Sequence, residues 1–125
     1  MKQGIRTILT FIVMLVIIFG CLIAKYIYDT EYKVTKVSEY TNPTNQYNVV
    51  FQAVGAPEWP FGSTQIKITL LDDVKKVVKS FKYYINDDGA RAGEHNIHVK
   101  WFENYVEITL SGSEQEDDIY KIDYE

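Results

Sequence analysis

The sequence predicts an all-β domain, an antiparallel β-sandwich or strongly curled sheet of six to seven strands, preceded by one N-terminal transmembrane helix. Three observations predict it. One uncharged apolar run opens the chain, the remainder alternates apolar and polar residues with a period of two, and the interruptions carry Gly, Pro, Asn and Asp. With 125 residues there is room for one ordinary domain beside an anchor. A composition of 46% apolar and 24% charged residues is globular rather than disordered. Charge is divided along the chain. Residues 1–28 hold Lys2, Arg6 and Lys25 and no acid, whereas residues 29–125 hold the other ten Lys and Arg and all seventeen Asp and Glu. This excludes a fully soluble protein and a nucleic-acid binder driven by a basic surface. The single cysteine excludes a disulfide scaffold.

The run from Thr7 to Ala24 is eighteen residues without a charge, twelve of them Ile, Leu, Val or Phe. At roughly −0.3 to −0.6 kcal/mol each, these twelve contribute about −4 to −7 kcal/mol towards insertion. As a helix the run spans about 27 Å, close to the hydrocarbon thickness of a bilayer. A buried core helix would keep a polar stripe, and this run has none. Lys25 can snorkel at its boundary, and Tyr26 and Tyr28 follow where amphipathic rings prefer to lie. Residues 1–28 are therefore expected to form a cytoplasmic tail and anchor, with the helix over residues 5–27, and residues 29–125 an extracytoplasmic β domain. Lys2 and Arg6 on one side are nearly balanced by Lys25, Lys33 and Lys36 on the other. The short basic tail, like the n-region of a signal sequence, favours the N-terminus inside. The expected location is the cell membrane, single-pass, with the C-terminal domain outside.

Two fates of the anchor follow from Ile18-Phe19-Gly20-Cys21, which resembles a bacterial lipobox. Phe19 is bulky where that pattern takes a smaller residue, and Leu22-Ile23-Ala24 prolong the apolar run where a mature lipoprotein turns polar. An uncleaved anchor is the leading reading, with cleavage and lipidation at Cys21 as the alternative.

Val34–Thr41 and Gln46–Val54 read as strands joined by the turn formers Asn42-Pro43-Thr44-Asn45. Tyr47, Val49, Phe51 and Ala53 share one face of the second, and Val50 and Val54 suggest cover on the other. Thr64–Asp72 places Ile66, Ile68 and Leu70 on one face, and Phe81, Tyr83 and Ile85 repeat the pattern. Val74–Phe81 is the one stretch of the domain whose periodicity also allows a helix. In Asn96–Leu110, a two-residue turn at Glu103-Asn104 sets Trp101 opposite Val106, Val99 opposite Ile108 and Ile97 opposite Leu110. The other face then pairs Lys100 with Glu107 and His98 with Thr109. A slip of one residue would destroy both matches, so this register is well specified. Ile119–Tyr124 reads as the last strand, and Phe51 and Trp101 as core residues.

Few residues carry chemistry. Asn86-Asp87-Asp88-Gly89 invites a calcium reading but fails the EF-hand spacing, and reads as a turn with Gly89 supplying positive φ. Glu114, Glu116, Asp117 and Asp118 form an acidic cluster, read first as a solvated loop and otherwise as a surface for a cation or a basic protein partner. His95 and His98, three apart, would point to opposite faces of a strand and cannot share a metal there. There is no HExxH and no Gly-x-Ser-x-Gly, and no carboxylate pair is singled out. The chain is read as a non-enzyme, with no catalytic residue, metal or cofactor assigned.

The most unusual segment is Gly55-Ala56-Pro57-Glu58-Trp59-Pro60-Phe61-Gly62-Ser63. Pro57 and Pro60 stiffen it, and Trp59 and Phe61 bring large apolar area to a connection. The expectation is that Trp59 folds back, mainly buried, to close one end of the sandwich. The alternative is that Trp59 and Phe61 face outward as anchors for a partner. This segment, with Asn86-Asp87-Asp88-Gly89, Trp101, Gly112–Asp117 and Tyr120, resembles a pattern in small uncharacterised proteins of Gram-positive bacteria. These carry an N-terminal anchor or lipoprotein-like signal before a compact β-rich domain. The resemblance spans most of residues 40–124 and implies location and fold, not activity.

The function expected is that of a membrane-anchored protein-interaction module, including an immunity-type version that shields its own cell from a toxin. The partner-binding candidates are Trp59, Phe61, Glu114, Glu116, Asp117 and Asp118. The alternative is a domain that binds an envelope polymer or small ligand, or a hydrolase with paired carboxylates. A cleft with facing carboxylates would favour the alternative, and exposed aromatics the first reading.

Overall fold

The computed structural model describes residues 1–125. Helix α1 runs from Lys2 to Ile27, and none of its residues is buried against the rest of the chain. It is long and apolar enough to cross a membrane. One wider turn, Tyr28–Tyr32, ends it, closed by the Lys33 amide donating to the Tyr28 carbonyl at 2.9 Å. The Thr30 hydroxyl donates back to the Tyr26 carbonyl at 2.8 Å. Lys25 and Asp29 pair at 3.1 Å on the exposed surface.

Seven strands follow: β1 (Val34–Thr41), β2 (Tyr47–Val54), β3 (Thr64–Asp72), β4 (Val77–Ile85), β5 (Ile97–Trp101), β6 (Tyr105–Gly112) and β7 (Gln115–Asp123). They form two antiparallel sheets, β1-β2-β3-β4 and β5-β6-β7, each in simple chain order. This is the all-β sandwich behind one apolar helix that the alternation predicts. The inward residues Val49, Phe51, Ile66, Ile68, Leu70 and Ile85 of the first sheet meet Ile97, Val106, Ile108, Leu110 and Ile122 of the second in one continuous core. Val50 and Val54 are only half-buried, so β2 is covered on one face and partly on the other.

The hairpin β5–β6 has the register expected from its two patterns, from Ile97 opposite Leu110 to Trp101 opposite Val106. One open alternative is decided and one expectation needs correction. Val74–Phe81 is not helical: Asp72 folds its carboxylate over the turn, accepting from the amides of Val74 at 3.1 Å and Lys76 at 2.7 Å, and Lys75 takes φ 63°. That turn starts β4 at Val77. Trp101 is half-buried rather than central and lies on the rim beside Tyr124, with ring centroids 6.4 Å apart.

The strand directions sort the connections into two ends. Loops 55–63 and 86–96 and the β6–β7 turn lie at the end next to α1, and turns 42–46, 73–76 and 102–104 at the far end. At the far end Tyr47 stacks on Tyr124 with centroids 4.1 Å apart, joining the two sheets.

Because α1 buries nothing in the domain, residues 29–125 should give a folded, β-dominated circular dichroism spectrum without it. In that fragment Phe51→Ala should cost roughly 3–5 kcal/mol in urea unfolding, as for a fully buried ring. Trp101→Ala should cost less than half as much.

Candidate functional site

The turn after β4 organises the helix end. Asp87 aims its carboxylate inward, where it accepts from the Ser113 amide at 2.8 Å, from Asn96 Nδ2 at 3.1 Å and from His95 Nε2 at 3.0 Å. Asn96 is buried and also donates to the Ser111 carbonyl at 2.9 Å, while its own oxygen accepts from the Gly93 amide at 2.9 Å. Asn86 clamps the same hairpin: its amide donates to Gln115 Oε1 at 2.7 Å, and its carbonyl accepts from the Glu114 amide at 3.2 Å. A side chain at Gly112 would meet that carbonyl at 2.1 Å. The hydrogen bond from His95, then those from Ser113 and Asn96, hold the Asp87 carboxyl well below its ordinary value of 3.8. Asn86-Asp87-Asp88-Gly89 is the turn expected, with Gly89 at φ 74°, and the Asp87 side chain makes it the centre of a polar knot.

The loop Gly55–Ser63 is held at its start and braced from behind. Its first amides, of Gly55 and Ala56, donate to the carbonyls of Lys33 at 2.8 Å and Thr30 at 2.9 Å, just beyond α1. Gly55 has φ 73°, and a Cβ there would lie 2.2 Å from the Thr30 oxygen, so this approach requires glycine. Behind the tip, Gly89 has φ 74° and comes so close that a Cβ would lie 2.9 Å from the Phe61 Cα. Within the loop the Gly62 amide donates to the Glu58 carbonyl at 2.6 Å, and the Trp59–Pro60 peptide is cis.

This geometry overturns the expected burial of Trp59. Its ring is 90% exposed and Phe61 is 67% exposed, with Glu58 also in solvent. The tight turn from Glu58 to Gly62 leaves both rings outward, and the Gly89 backbone stands against Pro60 and Phe61 on the inner side. Thr64, Ile66, Ile85, Asn96 and Ile97 close this end of the core instead.

Beside the loop lies an open cleft of about 490 Å³, lined by Tyr26 and Glu31 from the chain leaving α1, by Glu58 and Trp59, and by Tyr84 of β4. Glu31 and Glu58 bring two carboxylates to it. Both are exposed, and no ion pair fixes either.

The acidic cluster is not a loop. Glu114 occupies the tight β6–β7 turn, and Glu116, Asp117 and Asp118 belong to β7. Alternation divides them: Asp118 turns towards β4 and accepts from the Tyr83 hydroxyl, whereas Asp117 lies on the opposite face. Burial, then this hydrogen bond to Asp118, pushes Tyr83 up to about 12. His95 sits in the short turn Glu94–Asn96 and His98 on β5, so they do not converge. Cys21 lies exposed within unbroken α1.

The structure thus gathers loop 55–63, turn 86–89 and Gly112–Gln115 at one end and leaves Trp101 at the other. The sequence reading missed Asp87 as a hub; an Asp inside a turn, with a buried-type Asn nine residues on, was the available signal. Comparison with protein-family models, with curated proteins and with solved structures finds no match for this chain.

Asp87→Ala should cost roughly 1–3 kcal/mol, because it strands the buried Asn96 amide and the Ser113 N–H. The depressed carboxyl also sets an acid limb. Its stabilisation is complete above its ordinary value of 3.8 and is lost as pH falls through the folded value below it. Urea unfolding below about pH 4 should show a steeper loss for the native chain than for Asp87→Ala.

Proposed function

We propose that the protein is a single-pass membrane protein whose β domain works by binding, with loop Gly55–Ser63 as its recognition element. The observation that carries this reading is the exposure of Trp59, 90%, and Phe61, 67%, on a loop whose backbone is fixed on both sides. Large rings held rigidly in solvent are what interface hot spots are made of, since little entropy is lost on binding. The domain stands outside the cell membrane, in line with the short basic tail before α1. On this reading the helix is an uncleaved anchor, which is supported by Leu22-Ile23-Ala24 prolonging the apolar run beyond Cys21 where a mature lipoprotein turns polar. The resemblance to small anchored proteins of Gram-positive bacteria fits this placement.

The cleft containing Glu31 and Glu58 favours a second reading, a site for an envelope polymer or small ligand. Catalysis would need carboxylates held in fixed geometry, and these two have no supporting partners.

A photo-reactive residue at position 61 of the full chain, expressed in membranes, should form adducts that the same residue at far-end Asn104 does not. Trp59→Ala should change stability by less than about 0.5 kcal/mol, as surface changes do, while weakening those adducts. Absence of adducts at position 61 would overturn the binding reading.

A further inference from the structure

The occupant of this recognition element can be named from where the loop stands. We propose that the Trp59–Phe61 tip is a second membrane contact, its rings lying in the interface of the leaflet from which α1 emerges, so that the β domain is seated on the bilayer. This rests on the reading above that α1 spans a membrane and that the loop binds. Depth is set by Tyr26: it belongs to the last turn of α1, directly after Lys25, the first charge beyond the uncharged run, and it lines the same cleft as Trp59. Trp59 therefore stands at the level where indole rings prefer to lie, between hydrocarbon and water. The loop cannot swing away from that level, because the Gly55 and Ala56 amides are bonded to the Lys33 and Thr30 carbonyls at 2.8 and 2.9 Å. Nor can the tip fold inward, because Gly89 abuts the Phe61 backbone.

The contact continues a surface already apolar. Tyr26 and Tyr32, each 66% exposed, and Tyr28, 56% exposed, surround the exit of α1 on the same side of the fold. Charge argues for a neutral interface rather than an anionic lipid site: residues 29–125 carry seven more acids than bases, and Glu58 stands at the tip itself. Attachment is by partition of rings, with Glu58 left among the headgroups.

The test uses the full chain in phosphatidylcholine vesicles. With Trp101→Phe, Trp59 is the only indole; with Trp59→Phe, far-end Trp101 is the only one and serves as control. Lipids brominated on the acyl chain should quench Trp59 several-fold more than Trp101, and aqueous iodide should quench Trp59 less than Trp101. Emission from Trp59 should be blue-shifted from that of a water-exposed indole, although the protein itself leaves the residue 90% exposed. Iodide-accessible Trp59 emission without bromolipid quenching would overturn the proposal, as would equal bromolipid quenching at both positions. Alkaline extraction of the same vesicles separates the two levels of failure. If the chain stays in the vesicle membrane without bromolipid quenching at Trp59, and position 61 forms adducts with a protein in the cell membranes used above, the lipid contact fails and the binding reading stands. If the chain is extracted, the spanning helix and the contact fail together.

Discussion

The Asp87 carboxylate is the constraint from which the helix end takes its shape. The two sheets share no strand pairing, and the apolar layer between them is non-directional. Burial alone would tolerate some sliding of one sheet over the other. Directional bonds remove that freedom at one end: Asp87 and Asn86, on the chain leaving the first sheet, hold Ser113, Glu114 and Gln115 at the β6–β7 turn of the second. At the far end a stacked pair, Tyr47 and Tyr124, replaces these bonds. Stacking limits separation but leaves in-plane motion open, so the end next to α1 is the more sharply defined.

From Asp87 the positioning passes outward through backbone contacts. Gly89, two residues on, stands directly behind Pro60 and Phe61, and the Thr64 hydroxyl donates to the Ala90 carbonyl at 3.2 Å where the loop rejoins β3. At its other side the loop is bonded to Thr30 and Lys33. Loop 55–63 is thus wedged between the domain and the chain leaving α1, and the glycines at 55 and 89 make both approaches short. A loop so placed orients the domain relative to the helix, a role that neither strand pairing nor the core can fill.

Much of the scaffold is legible in the sequence because it is encoded locally. The β5–β6 register follows from two facing patterns and a short turn at Glu103-Asn104, all within fifteen residues. The apolar run of α1 is a matter of composition. Val74–Phe81 was ambiguous because its periodicity fits two structures, and the decision lies with the Asp72 side chain upstream of it. The site was legible only as unusual segments. Asp87 bonds Ser113 across twenty-six positions, a pairing no local pattern contains. The outward placement of the tip depends on the Gly89 backbone standing against Pro60 and Phe61, again a long-range contact. A large ring in a strand connection reads as core by default, because covering the end of a sandwich is what such rings usually do.

Leaving that ring uncovered has an energetic consequence that bears on how the whole chain is arranged. An indole of about 200 Å² forgoes roughly 5 kcal/mol of burial when left in water, a large share of a small domain's stability. The rest of the domain buries its apolar residues efficiently: eleven form one closed core. Val74, Val77 and Ile119 are left exposed as single side chains, whereas the extended exceptions are α1, with no buried residue, and the tip with its two rings, Trp59 and Phe61. They lie at the same end of the molecule, joined by short backbone bonds. A protein partner would cover the tip only by bringing a second body beside the bilayer that holds α1, and a lipid phase reaching only α1 would leave the tip in water. Under the seating proposed above, one bilayer would take α1 into its hydrocarbon and the rings at its surface, and so remove both from water at once.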